Sequence, residues 1–241
     1  MFLHPIHPDR WKALTHEIAE WQFSDGQQLR YRFFTQPCGE LWLNSGRLVA
    51  CDPATRLQWH DNAEVRIPPG RYPVVLTLAD ISEALDGSRL CEAYLSLIVC
   101  DQPATGWRFL APAPPGITPP PLGRHEFIGI GSESGWVCLT DANAIERLMP
   151  DPAKTDWEWD LIDTGDEHGW ISLAEDPDHI RAGTANILLP NATTGENLVL
   201  SHAGWGEGSY ALVATHAADG TLTAVHIDLA VLPLPPLPEW D

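Results

Sequence analysis

Positive charge is scarce in this 241-residue chain: 14 Lys and Arg stand against 33 Asp and Glu, a formal net charge of −19. A field of that sign excludes binding to nucleic acid or to an anionic membrane through the general surface, and it suits solubility or a basic partner. No apolar run approaches the roughly 20 residues of a membrane span. The opening Met1-Phe2-Leu3-His4-Pro5-Ile6-His7-Pro8 has neither the basic start nor the apolar stretch of a signal peptide. The five cysteines, at 38, 51, 91, 100 and 138, form no CxxC pair and are odd in number. They read as reduced, buried thiols in a cytoplasmic protein. Cys91 and Cys100 are nine apart, so one regular strand turns them to opposite faces and they cannot share a metal.

Catalytic signatures are missing as well. The ten His form no HExxH or HxH, and no GxSxG or P-loop occurs. Gly129-Ile130-Gly131 lacks the third glycine and the following helix of a dinucleotide fingerprint. A catalytic Cys would want a neighbouring His and an electropositive setting, which so acidic a chain hardly supplies. The expectation is therefore no cofactor, no metal and no catalytic residue.

What the chain does contain is glycine-framed turns between strand patterns, above all Gly204-Trp205-Gly206-Glu207-Gly208. Alternate glycines admit positive φ and close backbone approach, so this stretch reads as a structural loop with a slot for the Trp205 ring. Before it, Trp11, Leu14, Ile18 and Trp21 recur at helical spacing behind Asp9, which predicts an amphipathic helix over 10–21. From Leu29 onward the patterns are β. Strands are expected at 29–35, a hairpin at 40–50 around Asn44-Ser45-Gly46, and further strands at 71–78, 91–100, 107–110, 127–130, 136–139, 186–189 and 197–201. A C-terminal hairpin joins 210–216 to 221–229. Asp141 is placed to cap a helix over 142–148 that Pro150 stops. The six prolines of 111–122 make an extended surface connection, and a second proline-rich stretch occupies 232–241. A chain of this length can bury about 70–75% of its unfolded surface in one core. The pattern predicts a single domain over 1–241, α+β but mainly β. Its architecture is an antiparallel sandwich or open barrel with two or three short peripheral helices.

Two groups of residues carry functional expectations. Asp52, Glu133, Asp141, His202 and Glu207 lie in or beside the glycine-framed turns. If those turns gather at one end of a sandwich, Asp52, Glu133, His202 and Glu207 could serve a hydrolase by acid–base work or by holding a divalent ion. The ordinary reading is that such residues cap helices and shape turns. The second group is the segment 151–178, with ten acids, one Lys and Trp157, Trp159 and Trp170 between them. Carboxylates there would steer a basic protein while Trp rings anchor it, with Asp156, Trp157, Glu158, Trp159, Asp160 and Asp163 as the contact residues. Toxin-neutralising immunity proteins use this combination. The ordinary reading is a solvated acidic face with its rings turned inward. The first choice is a non-catalytic protein-binding module facing a basic toxin or effector.

Several landmarks together resemble the domain of unknown function 4241 family, found mostly in bacteria. They are Gly46-Arg47-Leu48-Val49-Ala50-Cys51-Asp52-Pro53, Pro69-Gly70-Arg71-Tyr72-Pro73-Val74, Glu133-Ser134-Gly135 through Cys138 to Asp141, and Gly204-Trp205-Gly206-Glu207-Gly208-Ser209-Tyr210 with its hairpin. The match runs in order over roughly residues 40–230. Glu133 and Glu207 stand where the family more often has Asp, and Ala203 where it more often has Ser. The resemblance implies a β-rich fold and brings no activity with it.

Overall fold

The computed structural model describes residues 11, 13–23, 26–58, 63–122 and 126–232. Thirteen strands follow one another as β1 (Ile18–Gln22), β2 (Gln28–Leu43), β3 (Arg47–Cys51), β4 (Glu64–Arg66), β5 (Gly70–Asp80), β6 (Leu90–Ile98), β7 (Gly106–Phe109), β8 (Gly129–Ser132), β9 (Trp136–Asp141), β10 (Thr184–Leu188), β11 (Asn197–His202), β12 (Gly208–His216) and β13 (Leu222–Asp228). Between β9 and β10 come helix α1 (Ala142–Leu148), a π-helical turn (Glu158–Ile162) and helix α2 (Trp170–Glu175). The fold is α+β, mainly β, as the strand patterns imply.

Two antiparallel sheets form the body. The larger is curled into a half-barrel in the order β1-β2-β5-β6-β13-β12-β7, with β8 sharing the outer edge of β12. The smaller runs β10-β11-β9-β3-β4. The inner faces meet in a core that includes Leu41, Leu76, Leu97 and Ile227 from the first sheet and Leu48, Val137, Leu139 and Val199 from the second. The smaller sheet is buried on its other face too. There Cys138, Leu198 and Leu200 pack against Ile145, Trp157, Ile162 and Trp170 of the helical layer. Burial on both faces explains why β9 (WVCLTD) is buried at all six positions and reads as a continuous run instead of an alternation. The far face of the half-barrel carries an aromatic layer built from Trp11, Trp21, Phe33, Tyr94 and Phe127.

Both edges of the smaller sheet are occupied. Ala113, in the proline-rich connection, exchanges hydrogen bonds with Glu64 of β4 at 3.0 and 3.3 Å. On the other edge, the Thr184 and Asn186 amides of β10 donate to Arg181 O at 3.1 Å and to His179 Nε2 at 3.3 Å. Pairing of this kind removes the free donors that would template aggregation. Among the described residues, no helix is long and apolar enough to cross a membrane.

The helix expected over 10–21 is not formed. Residues 11, 13 and 14 are in a 3₁₀ conformation and β1 begins at Ile18; residues 10 and 12 lie outside the described set. Along β1 the alternation wins over the helical spacing. Ala19 and Trp21 point inward while Ile18, Glu20 and Gln22 point out, and cross-strand pairs Glu20–Arg30 (3.1 Å) and Glu17–Arg32 (2.9 Å) flank the hairpin with β2. The strands expected at 29–35 and in the first half of 40–50 are one 16-residue strand, interrupted by a bulge between Pro37 and Glu40. The proline-rich tail lies outside the described residues from 233 onward.

Candidate functional site

The antiparallel pair β3–β9 is stapled at both ends by a buried carboxylate. After β3, Asp52 reaches the turn that precedes β9. Its Oδ2 accepts from the amides of Glu133 and Ser134, both at 2.8 Å, and its Oδ1 from Ser134 Oγ at 2.7 Å and Ala54 N at 2.9 Å. At the other end, Asp141 caps α1 through Asn143 N (2.8 Å) and Ala144 N (3.2 Å). It also holds the β2–β3 turn through Ser45 N at 2.7 Å and Ser45 Oγ at 2.6 Å. Register pairs Leu48 with Asp141 and Cys51 with Cys138, so the two acids sit at opposite ends of the pair. Both are fully buried and saturated, which is how a buried carboxylate is tolerated.

The glycine-framed turns at the Asp52 end do gather. Ala203 N donates to Gly135 O at 2.9 Å, and Gly206 packs against Gly135. The side chains on them diverge. Glu133 turns to solvent and pairs with Arg56 at 3.2 Å; both are more than half exposed. His202 packs at a tilt of 52° against the Trp136 ring, with centroids 4.2 Å apart, and meets Glu175 Oε1 of α2 at 2.8 Å through Nε2. Glu207 is exposed. Asp52 therefore has no lone pair to offer a substrate, and its neighbours are engaged elsewhere. Among the described residues, no three of His, Cys, Asp and Glu come together in a way that could hold a metal ion.

The loop itself hangs on Tyr210, whose Oη lies 2.6 Å from Ala203 O and 2.5 Å from Gly206 O. Burial pushes that phenol up to about 12, with the Cys91 thiol adding to the shift, so it stays a donor. Gly204 at φ +59° passes against the backbone of Leu229 and Glu92, while Gly206 at φ +101° faces open space and Gly208 lies beside Tyr210. The Trp205 ring does not fill a slot: it is 56% exposed. The expectation of a buried indole is corrected here, because the loop is closed by the Tyr210 hydroxyl and leaves Trp205 on its outer side.

The acidic segment divides by ring. Trp157 is buried, with its Nε1 donating to Pro150 O at 3.0 Å, and Trp170 is buried on the smaller sheet. Trp159, on the π-helical turn, is 62% exposed. In the same segment Asp156, Asp160, Asp163, Asp166 and Glu167 all face solvent, and Glu158 is half-buried. Lys154 is bound to Asp151 at 3.2 Å. Two of the acids also shape the turn. Asp156 Oδ1 accepts from the Glu158 and Trp159 amides at 3.2 and 3.4 Å, and Asp160 Oδ2 from Asp156 N at 2.9 Å.

Sequence reasoning missed two arrangements. Cys51 and Cys138 face each other across β3–β9 at 3.8 Å between sulfurs, both free; the Cys138 contact and burial push the Cys51 thiol up. No spacing rule reports such a pair, because 87 residues separate them. The second is a hydroxyl–imidazole chain on the far face of the half-barrel, Thr223–Thr215–His226–Ser96, with steps of 2.8, 3.1 and 2.8 Å. The pairing of Val213 with His226 and Thr215 with Ala224 puts Thr215 and His226 on one face, but alternation would turn Thr223 away, and it joins them only at the register shift between Thr215 and His216.

These elements define a class: a mainly β protein of two packed antiparallel sheets, with carboxylate staples at its turns and an acidic helical layer. Residues 41–227 match the family described as Protein of unknown function (DUF4241), and the chain belongs to that family. No curated protein and no solved structure matches the chain.

Proposed function

We propose that this is a non-catalytic binding protein whose acidic turn receives a basic protein partner, in the most concrete form a toxin or effector that it neutralises in the cytoplasm. The observation that carries the reading is Trp159, 62% exposed on a segment whose acids Asp156, Asp160 and Asp163 also face solvent. A large aromatic held in water costs hydrophobic free energy that a partner's pocket would recover, which is the usual setting of an interface anchor. The acids of that segment focus a negative field that raises the encounter rate with a basic surface. Trp157 is not a contact residue in this reading, since it supports the turn from below.

The test uses the partner recovered on the immobilised chain and identified by mass. Association with it should slow, and lose its salt dependence, when Asp156, Glu158, Asp160 and Asp163 are replaced by Asn or Gln. The amide oxygen at 156 still accepts the turn's hydrogen bonds, so the turn should keep its fold and the melt should not fall. Trp159→Ala should instead speed dissociation and cost about 2 kcal/mol or more. Wild-type association by the charge variant at low salt would end the steering idea, and an unaltered dissociation rate for Trp159→Ala would end the anchor.

A further inference from the structure

A cavity of about 580 Å³ opens on the far face of the half-barrel, away from the acidic turn. It lies between the 3₁₀ turn of Trp11 and Leu14, the β6–β7 connection, and the Thr215, Thr223 and His226 side chains of β12 and β13. Its size falls in the usual range for a small-molecule site. Two indoles line it, Trp11 and Trp107, with centroids 4.9 Å apart and planes at 34°.

The chemistry these walls present is one-sided. Trp11 Nε1 is buried and without a hydrogen-bond partner, so the part of this indole left for the cavity is ring carbon. Both His226 nitrogens are spent on Thr215 and Ser96, and burial lowers its pKa to about 3, so the ring is neutral. Thr223 gives its proton to Thr215 and keeps its lone pairs. Among the described lining residues, Asp101 is the one with a formal charge. The wall thus combines aromatic surface, hydroxyl lone pairs and a carboxylate, with no cationic group among the described residues that line it.

We propose that this cavity binds a small organic cation, a quaternary or tertiary ammonium, against the Trp11 and Trp107 rings with Asp101 as counter-charge. Aromatic faces attract such ions through the ring quadrupole, and more strongly where water is excluded. An anion would meet Asp101, and no cationic side chain among the described lining residues offsets the repulsion. The protein's net charge of −19 further enriches cations near its surface.

Calorimetric titration of the full chain with choline tests this, with 3,3-dimethylbutan-1-ol as a neutral control of the same shape. Choline should bind at least about tenfold more tightly than the alcohol, the order expected for a partly desolvated cation–π contact. Asp101→Asn, at an exposed position that does not threaten folding, should weaken choline several-fold and leave the alcohol unchanged. Trp107→Ala should weaken choline by about tenfold or more. Glu158→Gln with Asp163→Asn should change nothing, which separates a site from cations condensing on an acidic surface. Equal affinity for choline and the alcohol, no saturable heat from choline, or an Asp101→Asn variant with wild-type affinity would each overturn the proposal.

Discussion

His226 shows how a single buried side chain sets a stability profile. It stands 4% exposed under the Trp11 and Tyr94 rings, bonded to the Thr215 and Ser96 hydroxyls, with no carboxylate partner to support a charge. Burial therefore lowers its pKa from 6.5 to about 3. Between those values the unfolded chain takes up a proton that the folded chain refuses, so stability falls as pH drops below about 6.5. From pH 7 to 5 this one group should remove about 2 kcal/mol. Carboxylates held low act in a different window. Glu196, brought to about 2 chiefly by hydrogen bonds from Thr194, contributes above its ordinary 4.5 and is lost only on further acidification. Urea denaturation of wild type and His226→Gln at pH 7 and pH 5 isolates the effect: the variant should lose about 2 kcal/mol less over that interval. Parallel losses would mean that the site opens to accommodate the charged ring.

At the scale of elements, the glycine loop owes its shape to backbone approach and to Tyr210. Gly204 has positive φ, and a Cβ there would sit 2.7 Å from Leu229 O and 3.0 Å from Glu92 O, neither of which can yield cheaply. Gly206 also has positive φ but nothing within 4 Å. Gly206→Ala should thus cost only the conformational term, about 1 kcal/mol, and Gly204→Ala distinctly more, about 3 kcal/mol or above. Thermal and urea melts of the pair would show the order, and a reversed order would mean that φ alone governs the loop.

The same loop marks the limit of what residues in a row can say. Three alternate glycines announce a tight turn, but the side on which Trp205 lies also depends on the backbone of Leu229 and Glu92, which approaches from distant parts of the chain. Asp141 as the cap of α1 was legible because capping is local, whereas its second role, holding Ser45, needs the pairing of β3 with β9. The stretch 10–21 misled for a comparable reason. Four apolar residues fit a helical spacing, yet Ala19 and Trp21 are drawn into alternation by the neighbouring strand β2. The acidic segment was visible in composition, and only tertiary packing sorts Trp159 outward from Trp157 and Trp170.

Over the whole molecule the imbalance of charge outweighs the ion pairs that relieve it. The best-placed cation, Arg47, is largely enclosed between Glu64 at 2.7 Å and Glu146 at 2.9 Å, and Arg181 is similarly committed to Glu92. Pairs with so little exposure are only weakly screened by salt. Outer pairs such as Arg56–Glu133 and Lys154–Asp151 are exposed and contribute little at any ionic strength. What remains is an excess of unpaired carboxylates on a chain of net charge −19, crowded together by folding and spread apart by unfolding. Their mutual repulsion opposes the compact state, and added electrolyte should remove part of it. Raising sodium chloride from low concentration to a few tenths molar should therefore stabilise the protein by on the order of 1 kcal/mol. Urea is the denaturant to use, since guanidinium is itself a salt. Neutralising Asp156, Glu158, Asp160 and Asp163 together should stabilise the chain at low salt and shrink its response to sodium chloride. A fold that weakens on adding salt would place the balance with the ion pairs instead.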